Sequence, residues 1–156
     1  MNQMSADKIQ QALAAHFEWH RQTLIPNALF AGGEADLLIV HKSGFLSEVE
    51  IKCSLADWQC DQKKAKWASP DRNKIRRFWY AVPFYLVDKT PSWVPDSVGV
   101  ISVSPQGFCT IWRQAKNMSK YKVTPEEELE LVRKTYFRYW RLRIKLKEYT
   151  DPDRLG

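Results

Sequence analysis

Hydrophobic and polar positions switch between a period near 3.6 and a period of two along the chain, and each switch marks an element. In residues 5–22 apolar side chains recur at helical spacing, at Ile9, Leu13, Ala14 and Phe17, behind a capping Ser5, so a first helix is expected there. Leu24-Ile25-Pro26-Asn27 ends it, because proline disfavours helical conformation in the residue before it. Residues 27–31 read as a short strand closed by Gly32-Gly33. Residues 35–41 read as a second strand, and its run Leu37-Leu38-Ile39-Val40 predicts cover on both faces. Lys42-Ser43-Gly44 turns the chain into a third strand, residues 45–52. There Phe45, Val49 and Ile51 share one face as a core, while Glu48, Glu50 and Lys52 project from the other.

After Lys52 the helical period returns. Ser54-Leu55-Ala56-Asp57 has the spacing of a capping box, which predicts a helix to about Trp67, broken by Ser69-Pro70-Asp71. Residues 77–83 (RFWYAVP) and 98–104 (VGVISVS) are strands by composition, and residues 108–113 (FCTIWR) pair with the latter across the 104–107 turn. Thr124-Pro125 opens a last helix through Leu129, Val132, Tyr136 and Trp140. It is acidic at its start and basic towards its end, which complements the helix dipole. From Arg141 the pattern RLRIKLK also fits a strand. The expected architecture is one α/β domain over residues 1–156, in the order α-β-β-β-α-β followed by two strands and a helix. Its core would span about residues 5–113 and its C-terminal helical extension about 124–149.

The 156 residues carry a net charge of +6 and a pI near 9.3, an excess that suits an anionic partner, nucleic acid first. No apolar run approaches the ~20 residues that span a bilayer, so no membrane partner is expected. The first twenty residues lack the basic-then-apolar plan of a signal peptide. Cys53, Cys60 and Cys109 form no CxxC pair, which argues against a disulfide framework and a thiolate zinc site. A cytoplasmic setting is expected. His16 and His20 have the spacing of two ligands on one helix face, but HFEWH lacks the glutamate of HExxH, and no zinc site is expected.

The charged face of the third strand carries the chemistry. Hydrolysing a phosphodiester requires attack on a centre shielded by negative oxygens. A divalent ion polarises the phosphoryl oxygen and lowers the pKa of bound water from ~15.7 towards ~7. Magnesium takes hard oxygen ligands and keeps several waters beside one or two carboxylates. Asp36 begins one strand and Glu50 lies near the end of the next, so a hairpin turning at 42–44 lets the two converge. Lys52 follows two residues later on the same face, where its ammonium can orient the attacking water or stabilise charge developing on phosphorus.

Asp36, then Glu50-Ile51-Lys52, with a hairpin between and a helix after, resembles the PD-(D/E)xK nuclease superfamily, whose core runs α-β-β-β-α-β. EADLLIV, SGFLSEVEIK, SLADWQCDQKK and FWYAVP look most like its small phage-type and MmcB-like DNA-repair members. The resemblance covers roughly the first two-thirds of the chain. It implies a restriction-endonuclease-like fold and a metal-dependent nuclease acting on DNA in repair, recombination or phage DNA processing. By it, Asp36 and Glu50 would hold Mg²⁺ or Mn²⁺, helped by the Ile51 carbonyl, and Lys52 would be catalytic. The proline that names the motif is absent, since Ala35 precedes Asp36. Many members also carry an acid on the first helix, for which Glu18 is the candidate.

Each residue has a plainer reading. Acid-x-lysine triplets are common, and Asp61-Gln62-Lys63 is a second copy, expected on a solvated helix face. Glu48, Glu50 and Lys52 would then form an exposed edge with cross-strand ion pairs. Glu34 reads as a loop acid, Glu48 as an outer acid of the same face, and Asp57 is accounted for by capping. Lys63, Lys64 and Lys66, then Arg72, Lys74, Arg76 and Arg77, are either phosphate contacts or solvated surface. Tyr136, Phe137, Tyr139 and Trp140, interleaved with Arg133, Arg138, Arg141 and Arg143, can stack bases, pack on the sheet or join a second subunit in a homodimer. DNA is the expected partner, with RNA open. The alternative to a nuclease is a non-catalytic nucleic-acid-binding or assembly module on the same fold.

Overall fold

The computed structural model describes residues 3–30, 32–64 and 69–150, with side chains to Lys147. It is a mixed α/β structure in two compact units, residues up to Val123 and residues from Thr124. The first unit contains α1 (Ala6–His16), β1 (Thr23–Phe30), β2 (Gly33–Val40), β3 (Leu46–Ile51), α2 (Leu55–Cys60), β4 (Ile75–Pro83), β5 (Gly99–Val103) and β6 (Cys109–Arg113). The six strands form one sheet in sequential order. β1, β2 and β3 are antiparallel neighbours, β3–β4 and β4–β5 are parallel, and β6 returns antiparallel to β5.

Several boundaries differ from expectation, each for a physical reason. Ser5 caps α1 by accepting from Lys8 N, but the helix stops at His16 rather than at residue 22. Glu18 takes a positive φ of 55°, and the turn it opens feeds straight into β1. Pro26 therefore lies inside β1, opposite Leu37; as an edge strand, β1 tolerates a residue without an N–H. Ala31, the expected end of that strand, lies outside the described residues. Ser54 caps α2 through Asp57 N, yet α2 closes after six residues and continues as a 3-10 turn, Asp61–Lys63; the remainder expected to 67 lies outside the described residues. The RLRIKLK segment is helical, part of α3 (Pro125–Thr150) in the second unit, which Thr124 caps by accepting from Glu127 N.

Strand alternation divides the sheet into two environments. Leu37, Ile39, Val49, Ile51, Trp79, Ala81, Ile101 and Val103 face α1, whose Ile9, Ala12 and Leu13 complete an apolar core. Leu38, Val40, Leu46, Phe78 and Tyr80 point the other way, where Trp58 of α2 stacks 5.4 Å from the Tyr80 ring. Phe45 is a correction: it precedes β3, stays half-buried and lies under the Arg76 guanidinium instead of in the core. Among the described residues no helix is long and apolar enough to cross a membrane.

Gly99 shows how tightly the α1 side is packed. It pairs with Trp79 on β4, and a Cβ there would lie 2.2 Å from the indole Cε3 and 2.8 Å from Ala115 N. The indole must shift to admit even one methyl group. Gly99→Ala should destabilise the first unit by about 1–3 kcal/mol, read as a lower denaturant midpoint with Trp fluorescence as the probe.

Candidate active site

The charges of β3 are neither solvated nor at an edge. Glu48, Glu50 and Lys52 are 1%, 2% and 3% exposed, beneath α2 and the segment that follows it. Leaving such groups buried without partners would be strongly unfavourable, and one partner for each is visible. Arg72, in the 3-10 turn Pro70–Lys74, turns inward to a short ion pair with Glu48. Lys52 Nζ donates to Asp61 Oδ1 at 2.7 Å, with Asp57 Oδ2 at 3.9 Å. Lys64 Nζ lies 2.7 Å from Asp61 Oδ1 and 3.5 Å from Glu50 Oε1, bridging the two acids.

Asp61 overturns the expectation of a solvated triplet, being fully buried. It lies three residues after the buried Trp58, so one helical face turns both towards the sheet. That spacing was the available signal. Tyr80 donates its hydroxyl to Asp61 Oδ2 in a short hydrogen bond. The cause of its position is the β3–β4 register, which sets Tyr80 beside Glu50 and Phe78 beside Glu48. Burial alone raises the Asp61 carboxyl, but hydrogen bonds from Lys52, Lys64 and Tyr80 outweigh it and hold the group below the usual carboxylate range. Burial likewise lowers Lys64, and its hydrogen bond to Asp61 reverses the sign to a net rise. Tyr80 is pushed far up by burial and by Asp61, so it stays a donor.

At the far end of the hairpin, Asp36 and Glu50 meet across β2 and β3. Asp36 Oδ2 accepts from Ile51 N at 2.7 Å, Asp36 N lies 3.4 Å from Glu50 Oε2, and Gln10 of α1 donates to the Asp36 carbonyl at 2.7 Å. Two hard carboxylates on neighbouring strands, one accepting from the Ile51 N–H and the other near the Asp36 N–H, suit an ion that takes one or two carboxylates and keeps waters. Among the described residues no three His, Cys, Asp or Glu side chains gather as a metal cluster. The other acids lie apart: Glu34 is exposed on β2 rather than in a loop and accepts from Asn27, while Glu18 sits in the turn after α1, beside Arg21.

The expected phosphate contacts divide. Lys64 and Arg72 turn into the buried network, Lys63 stays exposed, Lys74 pairs with Asp71, and Arg76 stacks on Phe45. Lys66 lies outside the described residues. In the second unit α3 leaves Leu129, Tyr136, Phe137, Tyr139 and Trp140 exposed.

The site is thus a buried ionic network on β3 within a six-stranded mixed sheet. The sequence model of the family described as "MmcB-like: DNA repair protein MmcB-like" matches residues 2–147, and the chain belongs to that family. A solved structure, the SPO1766 protein of unknown function from Silicibacter pomeroyi, is similar in fold, with a TM-score of 0.62 over 98% of this chain and 96% of that one. Its sequence is 21% identical. No curated protein matches.

The depressed Asp61 carboxyl makes the network acid-sensitive. A carboxyl lowered by folding adds stability above its unfolded pKa of about 3.9, and that stability is lost as pH falls through the lower folded value. Unfolding midpoints should therefore drop as pH falls below about 4. Asp61→Asn removes one charge of the buried Lys52 pair, so it should flatten this acid limb and cost about 3 kcal/mol at neutral pH, measured by urea unfolding.

Proposed function

We propose that the chain is a metal-dependent nuclease of the PD-(D/E)xK type acting on DNA, with its nuclease-like core in about residues 5–113 and residues 124–149 as an extension. The observation that carries this reading is the approach of Asp36 to Glu50 across the β2–β3 hairpin, with Lys52 held one step further along the same chain. Membership of a DNA-repair family supports DNA as the partner.

In this reading Asp36 and Glu50 would hold Mg²⁺ or Mn²⁺, helped by the Ile51 carbonyl, and the ion would polarise the phosphoryl group and acidify water. The rest is the work of the chain. The Ile51 N–H fixes the Asp36 carboxylate, and Gln10 ties the Asp36 carbonyl to α1, so the first acid is set before substrate arrives. Asp61 takes one donor of the three on the Lys52 ammonium and fixes its position, so that on this reading a remaining donor would meet a phosphoryl oxygen of bound substrate. Exclusion of water around these buried groups strengthens their field at the charge that develops in the transition state.

One observation favours a second reading, a non-catalytic nucleic-acid-binding module. The Lys64 ammonium already bridges Asp61 and Glu50, which offsets the carboxylate charge without a metal.

Cleavage of supercoiled, linear, single-stranded and branched DNA in Mg²⁺, Mn²⁺ or EDTA separates the two. A nuclease cuts at least one substrate with metal and none in EDTA. Asp36→Ala should abolish cutting, and Lys52→Ala should slow it by roughly 10²–10³-fold, the usual loss for one preorganised charge-stabilising donor. Binding that persists in EDTA with no cutting on any substrate would establish the binding module instead.

A further inference from the structure

The opposite end of the β2–β3 hairpin gathers cations that the nuclease reading does not use. His41 and Lys42 begin the turn after β2, while Arg76 and Arg77 stand near the start of β4. The β3–β4 register shifts at this point, from Leu46 opposite Ile75 to Ser47 opposite Arg77. A bulge of this kind breaks strict alternation and re-aims a side chain, so two consecutive arginines reach one place. Together with Phe45 and Ser47 these residues line a cleft of about 430 Å³, and among the described residues no acid is in its walls.

The cations are held in position by groups that carry no charge. Arg77 Nε donates to Asn117 Oδ1 at 2.8 Å, and Arg76 donates to the Ser119 carbonyl at 2.9 Å. The Arg76 guanidinium lies 3.8 Å from the Phe45 ring centre, and Lys122 approaches the same ring at 4.9 Å. His41 hydrogen-bonds Ser47 Oγ at 2.8 Å. Among the described residues, none of His41, Lys42, Arg76, Arg77 and Lys122 forms an ion pair with a carboxylate. A guanidinium has five N–H donors, so each arginine keeps most of its fork for a ligand. Burial lowers the His41 pKa, and the positive charge of Arg77 lowers it further.

We propose that this cleft is a phosphate-binding site, holding a phosphodiester of nucleic acid remote from the Asp36–Glu50 pair. Planar arginine forks match phosphate oxygens, and the cleft has the volume of a small-ligand site. The phosphate held here is not the one cleaved. Ser47 lies on the α1 side of β3 and Glu50 on the other, three residues further along, which is about 10 Å of strand. The site rests on nucleic acid being the partner but not on hydrolysis, so its test is run in EDTA.

The wild-type protein, Lys42→Gln and Arg77→Gln would be compared by fluorescence anisotropy with labelled duplex and single-stranded oligonucleotides over a range of salt. His41 imidazole signals would be followed by NMR on adding inorganic phosphate, a nucleoside monophosphate or oligonucleotide. Lys42 is exposed in a turn, so its variant keeps the fold. The expected result is oligonucleotide binding weakened roughly 3–10-fold in each variant, with the slope of log K against log salt reduced by about one. His41 should shift with oligonucleotide in the wild type. A His41 response to the small phosphates, with variant oligonucleotide affinities unchanged, would keep the phosphate site and assign it to a free phosphate or nucleotide. Unaltered affinity and slope in both variants, with no His41 response to any probe, would overturn the proposal, whether or not the protein cuts DNA.

Discussion

The burial of ionised side chains on one face of β3 constrains the rest of the molecule. Glu48, Glu50 and Asp61 meet Lys52, Lys64 and Arg72, three acids against three bases; the acids and Lys52 are almost wholly removed from water, and Lys64 closes the network from the surface. Desolvating such groups is costly, and only close pairing offsets it. The chain between β3 and β4 therefore has to return with the right charges at the right heights. Its short α2, the 3-10 turn at Asp61 and the turn carrying Arg72 do this.

The two faces of the sheet have different tasks. Beneath α1 the side chains are apolar and close-packed, to the point that Gly99 has no room for a Cβ beside Trp79. That face gives β2 and β3 a rigid base and, through Gln10, reaches the backbone of Asp36. The other face mixes charge with the aromatic rings of Trp58, Phe78 and Tyr80, which exclude water from the ion pairs. Fewer waters mean a lower local dielectric, so each charge there acts more strongly on its neighbours. On the nuclease reading proposed above, an acid pair that held a metal and a lysine that faced a phosphoryl oxygen would gain from such a setting. The Lys64 bridge gains from it as well, which is why geometry by itself leaves a binding module in contention.

Much of the fold was legible because its signals are local. The apolar run Leu37–Val40 and the alternation in LSEVEI, joined by the turn at 42–44, gave the hairpin, Ser54 gave the start of α2, and Thr124-Pro125 gave the start of α3. The errors lie where a tertiary contact overrides the local pattern. Apolar spacing continued to Phe17 and beyond, yet the chain leaves the helix at His16 because β1 must begin at Thr23 to pair with Val40. Phe45 fits the core pattern of β3, but it falls on the turn side of the first paired residue and is covered by Arg76. Asp61 reads as a solvated acid because charge favours solvent unless a specific partner stands in the interior.

By itself the sequence determined which residues share a strand face and which acid would meet which across a tight hairpin, since both follow from the period of two and a short turn. Asp36 beside Glu50 is of that kind. What only the tertiary structure decided is the fate of the charges. Whether Lys52 is exposed or buried, and whether Asp61, Lys64, Arg72 and Tyr80 come to meet the charges on this face, depends on the parallel β3–β4 register and on where the intervening chain bends. A parallel pairing joins segments more than twenty residues apart. No short-range pattern encodes that register, because the burial energy that selects it belongs to the assembled sheet.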